Sequence, residues 1–234
     1  MQRLDKIISS QLNISRSVAR AGIRRGSASV NGETVRDPAF QLSPEEDKVE
    51  FNGQSLSYKK YIYLIMNKPK GILSASNDKS RETVVDLVPP ELKRAGLFPV
   101  GRLDRDTTGL LLITDDGDFA HRVISPNKNI VKTYKVTLDG ALDSELAKVF
   151  AKGVVLADGT ACRPAELCVL SENVAEIKIS EGKYHQIKRM FGTVGLGVNE
   201  LERTALGGLA LPQDLLYGQC RELTQSELKS ITAF

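Results

Sequence analysis

Short apolar runs fenced by turn residues, with no regular alternation of strand and helix, constrain this chain of 234 residues more than any other feature. Tyr61 to Asn67 reads as a strand closed by Lys68-Pro69-Lys70-Gly71, and Leu110 to Thr114 as one stopped by Asp115-Asp116-Gly117. Thr133 to Leu138 alternates, placing Tyr134, Val136 and Leu138 on one face and Thr133, Lys135 and Thr137 on the other. Ala175, Ile177 and Ile179 alternate in the same way. Helices are expected at Ser144 to Lys152, at Gln186 to Val194, and at Gln225 to Ile231 behind the capping box Thr224 to Glu227. Without strand–helix–strand order the prediction is an α+β fold, its mixed sheet mostly antiparallel and flanked by helices. The longest apolar runs, Ile62 to Met66 and Leu110 to Ile113, fall far short of the roughly 20 residues that span a bilayer, so no membrane partner is expected.

Charge divides the chain unequally. Residues 1 to 60 hold 10 Lys/Arg against 7 Asp/Glu, and the remainder holds 22 of each, so the whole net charge of +3 belongs to the first quarter. Within residues 1 to 26, Arg3, Lys6, Arg16, Arg20, Arg24 and Arg25 face Asp5 alone, a concentration that suits a phosphate backbone. Ser15 or Ser17 can cap a helix running to Arg25, with Gly26 ending it. On that helix Arg16, Arg20 and Arg24 recur every fourth residue beside an apolar face of Ala19 and Ile23. The stripe reads either as a solvated face or as a cationic binding surface. Asn31-Gly32 and Asn52-Gly53 both signal tight hairpins, while the polar stretch Gln54 to Lys60 reads as a linker. Two domains are therefore expected, 1 to 58 and 59 to 234.

The densest chemistry lies at Gly101-Arg102-Leu103-Asp104-Arg105-Asp106-Thr107-Thr108-Gly109, a polar loop running into a buried strand that can hold a side chain in fixed orientation. Taken alone, it could equally be a surface turn with two local ion pairs. Cys162, Cys168 and Cys220 are too few for a disulfide framework and suit a reducing cytoplasm. Neither His121 nor His185 stands at metal spacing from them, so no metal site is expected.

Three ordered motifs give these residues a context. Gly101-Arg102-Leu103-Asp104 with Thr108-Gly109-Leu110-Leu111, then Lys132-Thr133-Tyr134, then the run Tyr184 to Phe191 together resemble the pseudouridine synthases of the RsuA/RluA type, over about residues 61 to 234. Arg3 to Lys6, the Arg16 to Gly26 helix and Val30-Asn31-Gly32 resemble an S4 RNA-binding domain. Tyr184-His185-Gln186-Ile187-Lys188-Arg189-Met190 is most similar to the branch acting on the small ribosomal subunit.

The resemblance implies that Asp104 is the catalytic aspartate, that Lys188 is its cationic partner where relatives commonly carry Arg, and that Tyr134 lies against the target uracil. It implies that Arg102 reaches into the RNA and that Leu201 packs on the other face of the base, although Leu201 reads equally as strand core. Arg3, Arg16, Arg20, Arg24, Arg25, Arg105, Arg189 and Arg203 are the candidate RNA contacts. A cytoplasmic, monomeric enzyme is expected, needing no cofactor and acting on ribosomal RNA or an assembling small subunit. Two alternatives belong to the same RNA world: a synthase for 23S RNA, and a noncatalytic assembly factor. A third, a glycoside hydrolase using Asp104 and Asp106 as paired carboxylates, gains no support from two positions in one loop.

Overall fold

The computed structural model describes residues 1–231, which separate into two compact units: Met1–Ile62 with Pro90–Leu97, and Tyr63–Pro89 with the chain from Phe98 onward. The boundary expected between 58 and 59 thus falls near residue 62, and Pro90–Leu97 belongs to the first unit.

In the first unit, β1 (Gln2–Arg3) pairs with β4 (Gln41–Leu42), and helices α1 (Leu4–Leu12) and α2 (Arg16–Arg24) follow one another at the start of the chain. A four-stranded antiparallel sheet runs β3 (Glu33–Val35), β2 (Ala28–Val30), β5 (Val49–Phe51), β6 (Gln54–Leu56). Leu4, Ile7 and Ile8 of α1 and Ala19 and Ile23 of α2 recur at helical spacing and enter one core with Ala28, Val30, Val49 and Phe51. The helix packs so closely on the sheet that a side chain at Gly22 would strike the ring of Phe51. Both Asn-Gly pairs take positive φ at both residues, as two-residue hairpin turns require. The second of them corrects the linker reading: Gln54–Leu56 is β6, a mostly exposed edge strand folded back on β5 by Asn52-Gly53.

The arginine stripe is partly internal to this unit. Asp5 is fully buried, and its carboxylate accepts from Arg3 Nε at 3.1 Å, Arg16 Nη2 at 3.0 Å and Arg20 Nε at 2.7 Å. Burial pushes the Asp5 carboxyl up, but the three guanidiniums outweigh it and hold the group far below the usual carboxylate range. Arg24 and Arg25 are exposed.

The second unit is built on a nine-stranded sheet. Its path runs β11 (Glu166–Ser171), β12 (Val174–Ile179), β10 (Lys132–Leu138), β13 (Val198–Leu206), β9 (Thr108–Thr114), β7 (Tyr63–Lys68), β15 (Cys220–Glu222). The short strands β8 (Phe98–Pro99) and β14 (Leu209–Ala210) pair with β9 and β13. Every pairing is antiparallel except β13 with β9, so the sheet is mixed and the fold α+β. The alternation over β10 and β12 is the burial pattern observed, with Tyr134, Val136, Leu138, Ala175, Ile177 and Ile179 all inside.

Helices α3 (Gly117–Ile124), α4 (Leu146–Ala151), α5 (Gln186–Gly192) and α6 (Gln225–Ser230) accompany the sheet. Asp116 caps α3 by accepting from the Phe119 amide, and the α6 capping box of Thr224 and Glu227 is complete. Phe150 of α4 meets Phe191 of α5 with ring centroids 5.0 Å apart. Among the described residues no helix is long and apolar enough to cross a membrane.

Candidate active site

The loop before β9 is held from beneath by backbone contacts. Ser74 Oγ donates to the Leu103 carbonyl at 2.9 Å and accepts from the Leu103 amide at 3.1 Å, while the Gly71 amide donates to the Arg105 carbonyl at 2.7 Å. Lys68, at the end of β7, is fully buried under the same turn and donates from Nζ to the carbonyls of Pro69, Arg105 and Thr107 at 2.9 to 3.2 Å. Burial lowers the Lys68 ammonium to about 8, opposed by the charges of Asp106 and Asp104. Asp104 is thus fixed through its neighbours' main chain. No sequence signal marks Lys68 and Ser74 for this work, because their partners in the loop lie some 30 residues or more away along the chain.

Gly109 explains why the loop ends where it does. Its φ is +96°, and a side chain there would collide with the backbone of Arg203, which is its partner across the parallel β9–β13 pair. This close passage brings β13 to the loop. Leu201 and Tyr134, each 7% exposed, then line one pocket of about 90 Å³ with Leu103, Asp104, Ile179 and His185, and Arg102 stands exposed at its edge.

The charges around Asp104 are unevenly apportioned. Lys188 Nζ is bonded to both oxygens of Asp106, at 2.7 and 2.6 Å, and stands 3.8 Å from Asp104 Oδ2. His185 Nε2 is 3.6 Å from Asp104 Oδ1. Hydrogen bonding to Lys188 is the main cause that lowers the Asp106 carboxyl below its ordinary value. A lysine gathers its donors on one nitrogen, whereas a guanidinium spreads five over a planar fork, and here that nitrogen lies within bonding distance of Asp106 and not of Asp104. Lys188 therefore sits on Asp106 and serves Asp104 through space. Asp106, which the sequence offers only as half of a carboxylate pair for glycoside hydrolysis, is here the residue that holds Lys188.

Three candidate RNA contacts are corrected or qualified. Arg203 is 3% exposed; its Nε donates to the Leu110 carbonyl at 2.7 Å, and its Nη2 has no partner among the described residues. It is no surface phosphate contact, because the β9–β13 crossing draws it into the sheet. Arg189 pairs with Asp158 at 2.5 Å and donates to the Tyr184 carbonyl, so its guanidinium is committed within the fold. Arg105 is exposed, and its main chain, not its side chain, is what the loop uses. A second cavity of about 150 Å³ beside Tyr134 is lined by Lys132 and Arg203, and burial lowers the Lys132 ammonium to about 8.

A rigid loop presenting one carboxylate beside a buried tyrosine and an apolar strand residue defines a class. The sequence matches the RNA pseudouridylate synthase family over residues 62–193 and the S4 domain over residues 2–49. The chain belongs to that family: it is an RNA pseudouridine synthase carrying an S4 domain. It is 43% identical to ribosomal small subunit pseudouridine synthase A of Escherichia coli (strain K12), over 98% of this chain and 99% of the relative. It is 39% identical to an uncharacterized RNA pseudouridine synthase, YtzG, of Bacillus subtilis (strain 168), over 97% and 96%. A crystal structure of a pseudouridylate synthase superimposes with a TM-score of 0.70 at 36% identity, covering 99% of this chain and all of that one.

Proposed function

We propose that this protein isomerises one uridine of small-subunit ribosomal RNA to pseudouridine, with Asp104 as the catalytic group. The observation that carries the proposal is the Asp104 side chain, 28% exposed, at a pocket walled by Tyr134 and Leu201. The match to small-subunit relatives along nearly the whole chain supports the choice of RNA.

In the reaction the C1′–N1 bond breaks, the base turns, a C1′–C5 bond forms, the C5 proton leaves and N1 gains one, so no electrons are exchanged and no redox partner is needed. A nucleotide stacked in RNA must first be extruded, at a cost of a few kcal/mol. Tyr134 then supports one face of the uracil and Leu201 the other, and Arg102 fills the space beside the vacated position. Asp104 supplies the reacting carboxylate, with Lys188 Nζ 3.8 Å from its Oδ2. The exposed cations Arg24, Arg25 and Arg105 contribute phosphate contacts that offset the extrusion.

The test is release of tritium from small-subunit RNA labelled at uracil C5, supplied free and as an assembling subunit. Wild-type protein releases it and Asp104→Asn does not, while both bind the RNA. Turnover by the variant at the wild-type rate would overturn the role of Asp104. Mapping pseudouridines in ribosomal RNA from cells lacking the protein then identifies the uridine; loss of a site in 23S RNA alone would overturn the choice of subunit.

A further inference from the structure

One aromatic ring at the site has no work in the reaction just described. Tyr184 is 74% exposed, yet its ring is ordered by stacking on the imidazole of His185, with centroids 3.9 Å apart and planes 18° apart. One face of Tyr184 is covered by that imidazole, and the opposite face is open to solvent. His185 in turn lines the pocket and lies 3.6 Å from Asp104. The two rings form a short stack that begins at the catalytic carboxylate and ends in water.

The backbone is held in an unfavoured shape to make this stack. His185 has φ 47° and ψ 36°, a left-handed conformation uncommon for a residue with a β-carbon. Hydrogen bonds hold the segment on both sides. The Lys183 amide donates to Gln186 Oε1 at 2.9 Å and Lys183 Nζ to Glu181 at 2.9 Å, and Arg189 donates to the Tyr184 carbonyl at 3.3 Å. The fold thus spends ordering on an aromatic face that it leaves bare.

RNA supplies what fits that face. When a uridine leaves its stack, the bases beside it lose a neighbour and expose a flat apolar surface, and an aromatic side chain is the protein group that best replaces a stacked base. We infer that the Tyr184–His185 stack is a platform for a nucleobase flanking the extruded uridine, with the base lying on the open face of Tyr184. This rests on the proposed RNA-modifying function and adds a second base contact outside the uracil pocket. A base held there fixes the distance from the flanking nucleotide to Asp104, so the platform contributes to which uridine is chosen.

The experiment compares wild-type protein, Tyr184→Phe and Tyr184→Ala on a small-subunit RNA fragment that carries an abasic residue at each position flanking the modified uridine in turn. With intact RNA, Tyr184→Ala raises KM roughly ten- to hundredfold with kcat little changed, and Tyr184→Phe behaves as wild type. At one flanking position the abasic substitution raises KM similarly for wild type and Tyr184→Phe but adds nothing to Tyr184→Ala. A wild-type KM for Tyr184→Ala, or an equal abasic penalty in all three proteins, would overturn the platform. If wild-type protein converts no ribosomal RNA, the functional reading fails separately. The platform is then decided by single-stranded RNA containing 2-aminopurine, whose fluorescence is quenched by wild type and Tyr184→Phe and not by Tyr184→Ala. Equal quenching by the alanine variant would overturn it.

Discussion

Asp5 and Asp104 are both aspartates set among cations, and they are set oppositely. Asp5 has no exposed surface and three guanidiniums within 3.1 Å, so its oxygens are saturated. Asp104 is 28% exposed, and His185 and Lys188 stand 3.6 and 3.8 Å away, outside hydrogen-bonding distance. In the first unit three cations share one carboxylate; at the active site one lysine is shared by two carboxylates and spends its bonds on Asp106. A saturated carboxylate clamps one helix to the next, whereas an unsaturated one keeps lone pairs free for a reacting atom. The same residue type thus serves structure or chemistry according to how its donors are apportioned.

The largest expected effect breaks the chemical side alone. Asp104→Asn abolishes pseudouridine formation while the urea midpoint of unfolding stays near that of wild type, because among the described residues no hydrogen bond to the carboxylate holds the fold. A large loss of stability in this variant would place Asp104 with Asp5. Next in size is Lys188. Lys188→Met lowers kcat roughly 100-fold, within the usual span for a group that tunes an acid or base, whereas Lys188→Arg stays within a few fold because its fork can reach Asp104 and Asp106 together. Steady-state kinetics on one RNA checks both, and an arginine variant as impaired as the methionine one would show that the apportioning of donors is not what matters.

Asp5 carries the matching structural prediction. Asp5→Asn destabilises the protein by about 2 kcal/mol, below the usual cost of breaking a buried pair, because the three arginine side chains are 40–49% exposed and rehydrate. The pH dependence has a definite sign. The folded carboxyl titrates below the ordinary value of 3.8, so as pH falls the unfolded chain takes up its proton first. The stabilisation from Asp5 is complete above the ordinary carboxylate range and is lost as pH falls from about 4 toward the folded value. The gap between the urea midpoints of wild type and Asp5→Asn should therefore hold from about pH 7 to about pH 5 and narrow progressively below about pH 4, and a gap that does not narrow between about pH 4 and about pH 2 would contradict the ion-pair account.

How much of this was legible in the sequence follows from the range of each interaction. The alternation at Thr133 to Leu138 and the Asn-Gly turns are local, and the structure carries them nearly residue for residue. Strand β6 escaped notice because Gln54–Leu56 has no apolar pattern of its own and is defined only by pairing with β5. At the site, the motifs name Asp104 and Tyr134 and the family resemblance adds Leu201, and the structure brings all three to one pocket. What they could not convey was side-chain direction. Lys188 reaches across 82 residues to Asp106, and Arg203 turns inward because Leu110 offers a carbonyl where β13 crosses β9. The burial of Lys68 has the same origin, since two of its three acceptors come from the loop that carries Asp104.

The smallest expected effect sharpens the comparison within the arginine stripe itself. Arg16 and Arg20 are tied to Asp5, while Arg24 and Arg25, one turn further on, are exposed. If the exposed pair contacts phosphate, each neutralised contact releases counterions, and replacing one arginine lowers the slope of log affinity against log salt by about 1. Arg24→Ala and Arg25→Ala should each do so with the urea midpoint unchanged. Arg20→Ala should lower the midpoint, because it removes the 2.7 Å bond from a fully buried carboxylate. Measured by titration with RNA between about 50 and 200 mM salt, an unchanged slope for Arg24 and Arg25 would mark them as a solvated face. The stripe would then be wholly structural where it is paired, and phosphate binding by the first unit would have to rest on other cations.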